Sequence, residues 1–256
     1  MPDVSNLKLG KKLGVVHDPR TFQLRRLLTG EDVKPPAHAS VAHTIQSFPV
    51  FGNDQFGDCG FAAYGHSVIA RERSAQQDNR KVDLTTAQIL NAYFNLTGGA
   101  DSGIYLLDGC RYFKDKGVGR DENGQPHRIQ AYAQVQVRDH TEVKRALWQF
   151  GGLYIGAGLP VSAQGQVGGL WDVTGPPDQG DSAWGSWGGH AMYALQYDAH
   201  GLEVVTWGQR QPLTWAWWDA YVDEAYVHIT DDYLRKSGKT PQGFDVQALE
   251  DALARL

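Results

Sequence analysis

The sequence predicts an α+β fold with segregated layers: a helical lobe first, an antiparallel strand-rich lobe second, and a cleft between them. Three observations carry this. Apolar residues recur at helical spacing between positions 59 and 117. Beyond position 130 the apolar residues alternate or run in short blocks bounded by Gly, Pro and Asp, as strands do. The two halves also differ in texture, because all 8 tryptophans lie in the second. Helices come before strands rather than between them, which excludes a βαβ alternation.

Residues 1–44 read as an extended arm, packed on the body or partly disordered, with PPAHAS at 35–40 and little periodicity. A main body follows over 45–230, its helical part about 45–128 and its strand-rich part about 129–230. In the first helix Phe61, Ala62, Gly65, Val68 and Ile69 share a face, and charges gather in RER at 71–73. This places Cys59 at a helix N-terminus. Thr85 and Gln88 form a capping box, with Leu84 and Ile89 at the hydrophobic-staple positions. A third helix runs from about Gly103, with Leu106, Leu107, Cys110 and Phe113 as its stripe and Gly117 as its stop.

YAQVQV (132–137) alternates and reads as a strand, and Asp139 with Glu142 caps a short helix. LYIGAGL (153–159) is a strand, and residues 160–189 form a long Gly/Pro/Trp loop. Strands follow at 191–198, 202–207 and 225–230, with a Trp-rich helix at 215–222. The tail, 231–256, reads as an amphipathic helix packed on the body, with Val246, Leu249 and Leu253 on one side.

Composition narrows the function. The 256 residues carry 24 Lys+Arg against 29 Asp+Glu, a net charge of −5, and no basic block, so no nucleic-acid partner is expected. No apolar run is long enough to span a bilayer, so no membrane partner is expected. MPDVSNLKLGKKLG lacks the apolar core of a secretory signal, so a cytoplasmic location is expected. Two cysteines, Cys59 and Cys110, exclude a disulfide scaffold. The histidines show no close ligand spacing, so neither a metal nor another cofactor is expected.

The chemistry centres on two short segments. GNDQFGDCGFAA (52–63) places Cys59 where a helix dipole favours thiolate, with Gly57 and Gly60 allowing close approach of a substrate backbone. Asn53 and Gln55 offer amide donors to an oxyanion forming near the sulfur. WGSWGGHAMYALQYD (184–198) places His190 at a loop–strand junction, with Trp184, Trp187 and Gly189 beside it as candidate cleft-lining residues. Each segment has a plainer reading, a buried apolar cysteine and a histidine satisfied at a strand end. Cys110, on a helix stripe, reads as core. His190 follows Cys59 by 131 positions, within the 130–150 residues typical of papain-type nucleophile–base pairs.

Over roughly residues 44–230 the chain resembles the papain-like cysteine peptidase superfamily. LTTAQILNAY (84–93) and GIYLLDGCRYFKDKGV (103–118) are similar to its second and third helical segments. The stretch 129–159 resembles its strand–helix–strand, GGHAMYALQYD (188–198) its histidine strand, and VVTWG (204–208) the strand after that. DCG at 58–60 is also similar to double-glycine leader peptidases, and the overall texture to papain-like proteins of bacteria and their phages.

The resemblance implies a peptide or amide substrate, attacked by a Cys59–His190 pair, and an oxyanion donor before the cysteine. Asn53 has the family's six-residue spacing, while Gln55 is favoured on side-chain reach. The family's orienting asparagine is missing. Thr206 stands sixteen residues after His190 in its place, or Val205 when the chain is aligned on Trp207-Gly208, and the substitutes on offer are the Thr206 hydroxyl, a backbone carbonyl or Asp198. That departure keeps open a second reading, a non-catalytic binding or structural module with a protein partner, such as a component of a phage particle. Residues 1–44 offer no long inhibitory pro-segment but are long enough to thread near the cleft.

Overall fold

The fold is taken from a computed structural model, which describes residues 4, 6–28, 34–41, 45, 47–76, 84–121 and 123–230. The expected tail helix, with Val246, Leu249 and Leu253, lies outside the described residues.

The helical part holds α2 (Cys59–Gln76), α3 (Thr86–Thr97) and α4 (Leu106–Asp115), after a single turn α1 (Arg25–Leu28) and a two-residue strand β1 (Ala39–Ser40) in the arm. The rest holds β2 (Ala131–Gln134), α5 (His140–Phe150), β3 (Leu153–Leu159), β4 (Gly188–Tyr197), β5 (Gly201–Thr206), β6 (Gln209–Thr214), α6 (Trp215–Tyr221) and β7 (Val222–Ile229). The strands make one antiparallel sheet in the order β2-β7-β3-β4-β5-β6, with β1 added along β4.

Local signals decide the helix ends. Thr85 caps α3, its side chain accepting from the Gln88 N–H while Gln88 Oε1 accepts from the Thr85 N–H. Gly98 ends α3 at φ 68°. Asp139 Oδ1 accepts from the N–H groups of Thr141 and Glu142 and starts α5.

The core lies where α2 packs on β3 and β4. Every residue of β3 is buried, and so are nearly all of β4. Gly60 allows this approach. A Cβ there would lie 2.7 Å from the Ile104 side chain and 2.9 Å from the Tyr154 hydroxyl. Tyr64 stacks on Phe113 at 3.9 Å, joining α2 to α4. Cys110 is in this core too, its sulfur 3.4 Å from His228 Nε2.

The strands differ from the sequence expectation mainly at their ends. β4 begins at Gly188, before His190, and β2 stops at Gln134. β6 (QRQPLT) was not expected, because its polar content and Pro212 disguise it. It is the edge strand, where a missing N–H is tolerated.

Candidate active site

Cys59 is the first residue of α2 and His190 the third of β4. The strand reaches the helix end so closely that the Ala191 N–H donates to Cys59 Sγ at 3.3 Å. The His190 ring is completely buried, with Nε2 2.6 Å from Thr206 Oγ1. Its other nitrogen, Nδ1, has no hydrogen-bond partner among the described residues.

Thr206 ends β5, and Trp207 and Gly208 turn the chain into β6. Both have positive φ, 47° and 75°, as the two central residues of a tight hairpin require. Positive φ is costly for tryptophan. Here it lays the indole flat on the imidazole, with centroids 4.4 Å apart at 21°. The turn therefore supplies His190 with both a hydrogen-bond partner and a roof.

The upstream amides separate. Gln55 is exposed on the turn that its own N–H makes with the Gly52 carbonyl at 2.9 Å. Asn53 is buried, its amide donating to the Phe56 carbonyl at 3.0 Å. This reverses the preference drawn from side-chain reach, because backbone direction in the turn decides which amide faces inward. Asp58, immediately before the nucleophile candidate, is also buried, and neither carboxyl oxygen has a hydrogen-bond partner among the described residues. Burial pushes it up to about 8, with the Asn53 amide acting in the opposite direction.

The arm runs through the cleft. The Ile104 N–H donates to the Gly10 carbonyl (2.8 Å), the Lys11 N–H to the Gly189 carbonyl (3.1 Å) and the Lys12 N–H to the Ile104 carbonyl (2.9 Å). Trp207 Nε1 donates to the Lys8 carbonyl at 3.1 Å. The fit needs glycine on every side. A Cβ on Gly10 would lie 1.7 Å from the Gly57 oxygen, and one on Gly189 would lie 2.1 Å from the Lys11 oxygen. Asp101 braces the helical wall, its Oδ1 accepting from the Gly57 N–H (2.9 Å) and the Tyr93 hydroxyl (2.7 Å).

The other expected lining residues stand nearby. Trp184 packs over Gly158 and donates to the Tyr221 carbonyl at 3.1 Å. Trp187 leans on Trp207 with centroids 5.6 Å apart. The arm's Leu13 rests on Gly185.

With the arm in place the pair is sealed. Burial pushes the Cys59 thiol up to about 12, although the amides of Ala191, Gly10 and Lys11 act in the opposite direction. Burial holds His190 down at about 3. At neutral pH the thiol therefore stays protonated and the imidazole neutral. Among the described residues no group of three or more His, Cys, Asp or Glu is placed to hold a metal, and no helix is long and apolar enough to cross a membrane.

Sequence reasoning missed Lys11, Asp58, Asp223 and Glu224. Trp207 was read as part of a strand landmark, not as a cover for His190.

The sequence matches no protein-family model and no curated protein. Solved structures do match. Xylellain, a cysteine protease from Xylella fastidiosa, superposes with a TM-score of 0.65 at 16% identity, over 88% of this chain and 97% of that one. Digestive procathepsin L2 from Tenebrio molitor gives 0.58 at 13%, over 90% and 80%. The Carica candamarcensis cysteine protease CMS1MS2 gives 0.51 at 11%, over 76% and 99%. The fold is therefore that of the papain-like cysteine proteases.

Proposed function

We propose that this chain is a cysteine peptidase or amide hydrolase held latent by its own N-terminal arm. One observation carries the reading: His190 is held through Nε2 by Thr206, its Nδ1 has no hydrogen-bond partner among the described residues, and the next residue of the strand, Ala191, donates its N–H to Cys59 Sγ. A base needs one nitrogen oriented and the other available.

In the proposed cycle Nε2–H donates to Thr206, so Nδ1 is the basic atom. Nδ1 takes the Cys59 proton and the thiolate attacks the carbonyl carbon. The carbonyl π pair moves to oxygen, which the Cys59 backbone N–H and the Asn53 amide would stabilise. Collapse breaks the C–N bond, and the amine leaves with the His190 proton. Water then gives its proton to His190 and adds to the thioester. Breaking the C–S bond frees the acid and returns the proton to sulfur. Gly57, Gly189, Trp184 and Trp187 would line the substrate's path. Gln55 has no role in this scheme.

The test is hydrolysis of unstructured peptides by the full chain with the arm disengaged, followed by mass spectrometry. Cys59→Ala and His190→Ala should each abolish it. Cleavage that survives Cys59→Ala would end this reading.

A second reading has its own support. The sealed pair and the threonine in place of asparagine also suit a non-catalytic module in which the arm is structural. It predicts no hydrolysis in any variant and a large loss of stability when the arm is disengaged.

A further inference from the structure

Lys11 has no exposed side-chain atom. Its stem leaves the cleft across Gly156 of β3, and its ammonium ends between two carboxylates at the start of β7. Nζ lies 2.8 Å from Asp223 Oδ2 and 3.2 Å from Glu224 Oε1, with the Lys12 and Gly14 carbonyls at 3.3 and 3.4 Å.

Three features mark this as a built pocket rather than a chance ion pair. First, the channel exists because residue 156 lacks a side chain. A Cβ there would lie 2.3 Å from Lys11 Cε. Second, neighbouring residues of a strand normally point to opposite faces. Here the register shifts: Gly156 pairs with Glu224 and Ala157 with Val222, leaving Asp223 as the extra residue of a bulge. The bulge lets consecutive carboxylates share one channel. The Tyr226 hydroxyl fixes the second by donating to Glu224 Oε2 at 2.9 Å. Third, Asp223 Oδ1 is buried without a partner among the described residues. An ammonium leaves this acceptor over, and a guanidinium has the additional donors to fill it.

We propose that Gly156, Asp223 and Glu224 form a substrate-recognition pocket that admits a lysine or arginine side chain, and that Lys11 is its resident occupant. The ligand is an extended peptide. Its backbone takes the arm's hydrogen bonds to Gly189 and Ile104, as strand-addition recognition does, and its basic residue lies opposite Gly189. This deepens the hydrolase reading and rests on it for the meaning of "substrate".

The test uses the full chain carrying Lys11→Ala, which vacates the pocket. Acetylated, amidated Leu-Gly-Lys-Lys-Leu-Gly is compared with versions bearing norleucine or arginine at the first lysine, or norleucine at the second. Protection of Cys59 from iodoacetamide and cleavage of the peptides are both read. Norleucine at the first lysine should weaken protection at least tenfold, arginine should not, and norleucine at the second should have little effect. Adding Asp223→Asn and Glu224→Gln should erase the discrimination. Equal protection by lysine and norleucine at the first position overturns the proposal. Should Lys11→Ala fail to fold, the two carboxylate substitutions go into the otherwise unaltered chain, where they should speed Cys59 labelling at least tenfold; an unchanged rate overturns the proposal. Discrimination without cleavage of any peptide would keep the pocket and remove the hydrolase. Cleavage without a basic preference would do the reverse.

Discussion

His190 Nε2 lies 2.6 Å from Thr206 Oγ1, so a hydroxyl occupies the place where papain-like enzymes were expected to put an amide. The contact is buried, with both residues at or below 3% exposure. A hydroxyl on a short, branched side chain is well fixed at χ1, so it can hold a tautomer without the reach of asparagine.

Thr206→Val keeps the shape and removes the acceptor. It leaves a buried ring nitrogen unpaired, which should cost about 1–3 kcal/mol of stability. If His190 acts as a base, the same change should slow hydrolysis by roughly 10²-fold or more, while Thr206→Ser retains most of it. Urea unfolding and peptide turnover, measured on the same preparations, separate the two effects. Wild-type turnover in Thr206→Val would remove the orienting role.

Gly10→Ala tests the seal. Its Cβ would lie 1.7 Å from the Gly57 oxygen, a backbone atom that cannot move aside. The arm should leave the cleft, and iodoacetamide should label Cys59 at least tenfold faster at pH 7.5. Cys110, in the core against His228, should stay unlabelled in both proteins. In the unaltered chain Cys59 labelling should climb about tenfold per pH unit between 7 and 10, because the buried thiol is pushed up to about 12. A plateau below pH 8 in the unaltered chain would contradict the sealed site.

How much of this was legible in the sequence depends on the range of the interaction. Cys59 at a helix start and the Thr85–Gln88 box follow from neighbours within a turn, and the sequence states them directly. His190 and Thr206 became readable only as a pair at family spacing. Lys11 was not legible, since its partners lie 212 and 213 positions away and one of them is presented by a bulge. Within the arm it looked like any scattered cation. The choice between Asn53 and Gln55 turned on backbone direction in a loop, which side-chain type does not encode. Trp207 hid its role behind an unfavourable φ that only the hairpin imposes.

Acid should weaken the fold through buried histidines. Burial holds His66 down at about 4, His190 at about 3, and His228 well below its ordinary value. A lowered folded-state pKa means stability that is present above pH 6.5 and lost as pH falls toward the folded value. Asp58, Glu142 and Glu224, held up by burial, act in the opposite direction, so a difference measurement is needed. The neutral His66 ring donates its Nε2–H to the Pro49 carbonyl (2.7 Å). His66→Gln should be less stable than wild type at pH 7, and that gap should narrow by about 2 kcal/mol on going to pH 5. A gap independent of pH would mean that His66 is not kept neutral.

Asp58 should give the opposite slope. Its carboxyl is buried just before α2, with neither oxygen partnered among the described residues, and is pushed up to about 8. A raised folded-state pKa means a contribution that is complete below the unfolded value and lost as pH rises through about 8. Ionised Asp58 would also sit beside Cys59 and disfavour its thiolate. Asp58→Asn keeps the shape and a helix-capping residue type while removing the titration. Its stability relative to wild type should therefore improve between pH 5 and pH 8.5, by more than about 1.4 kcal/mol, one pH unit's worth. With the arm displaced by Gly10→Ala, Asp58→Asn should also lower the pH at which Cys59 alkylation reaches half its maximum. Urea midpoints at the two pH values test the first expectation, and alkylation profiles the second. A variant that loses stability toward pH 8.5 would show that the carboxylate is ionised in the folded protein and has a partner.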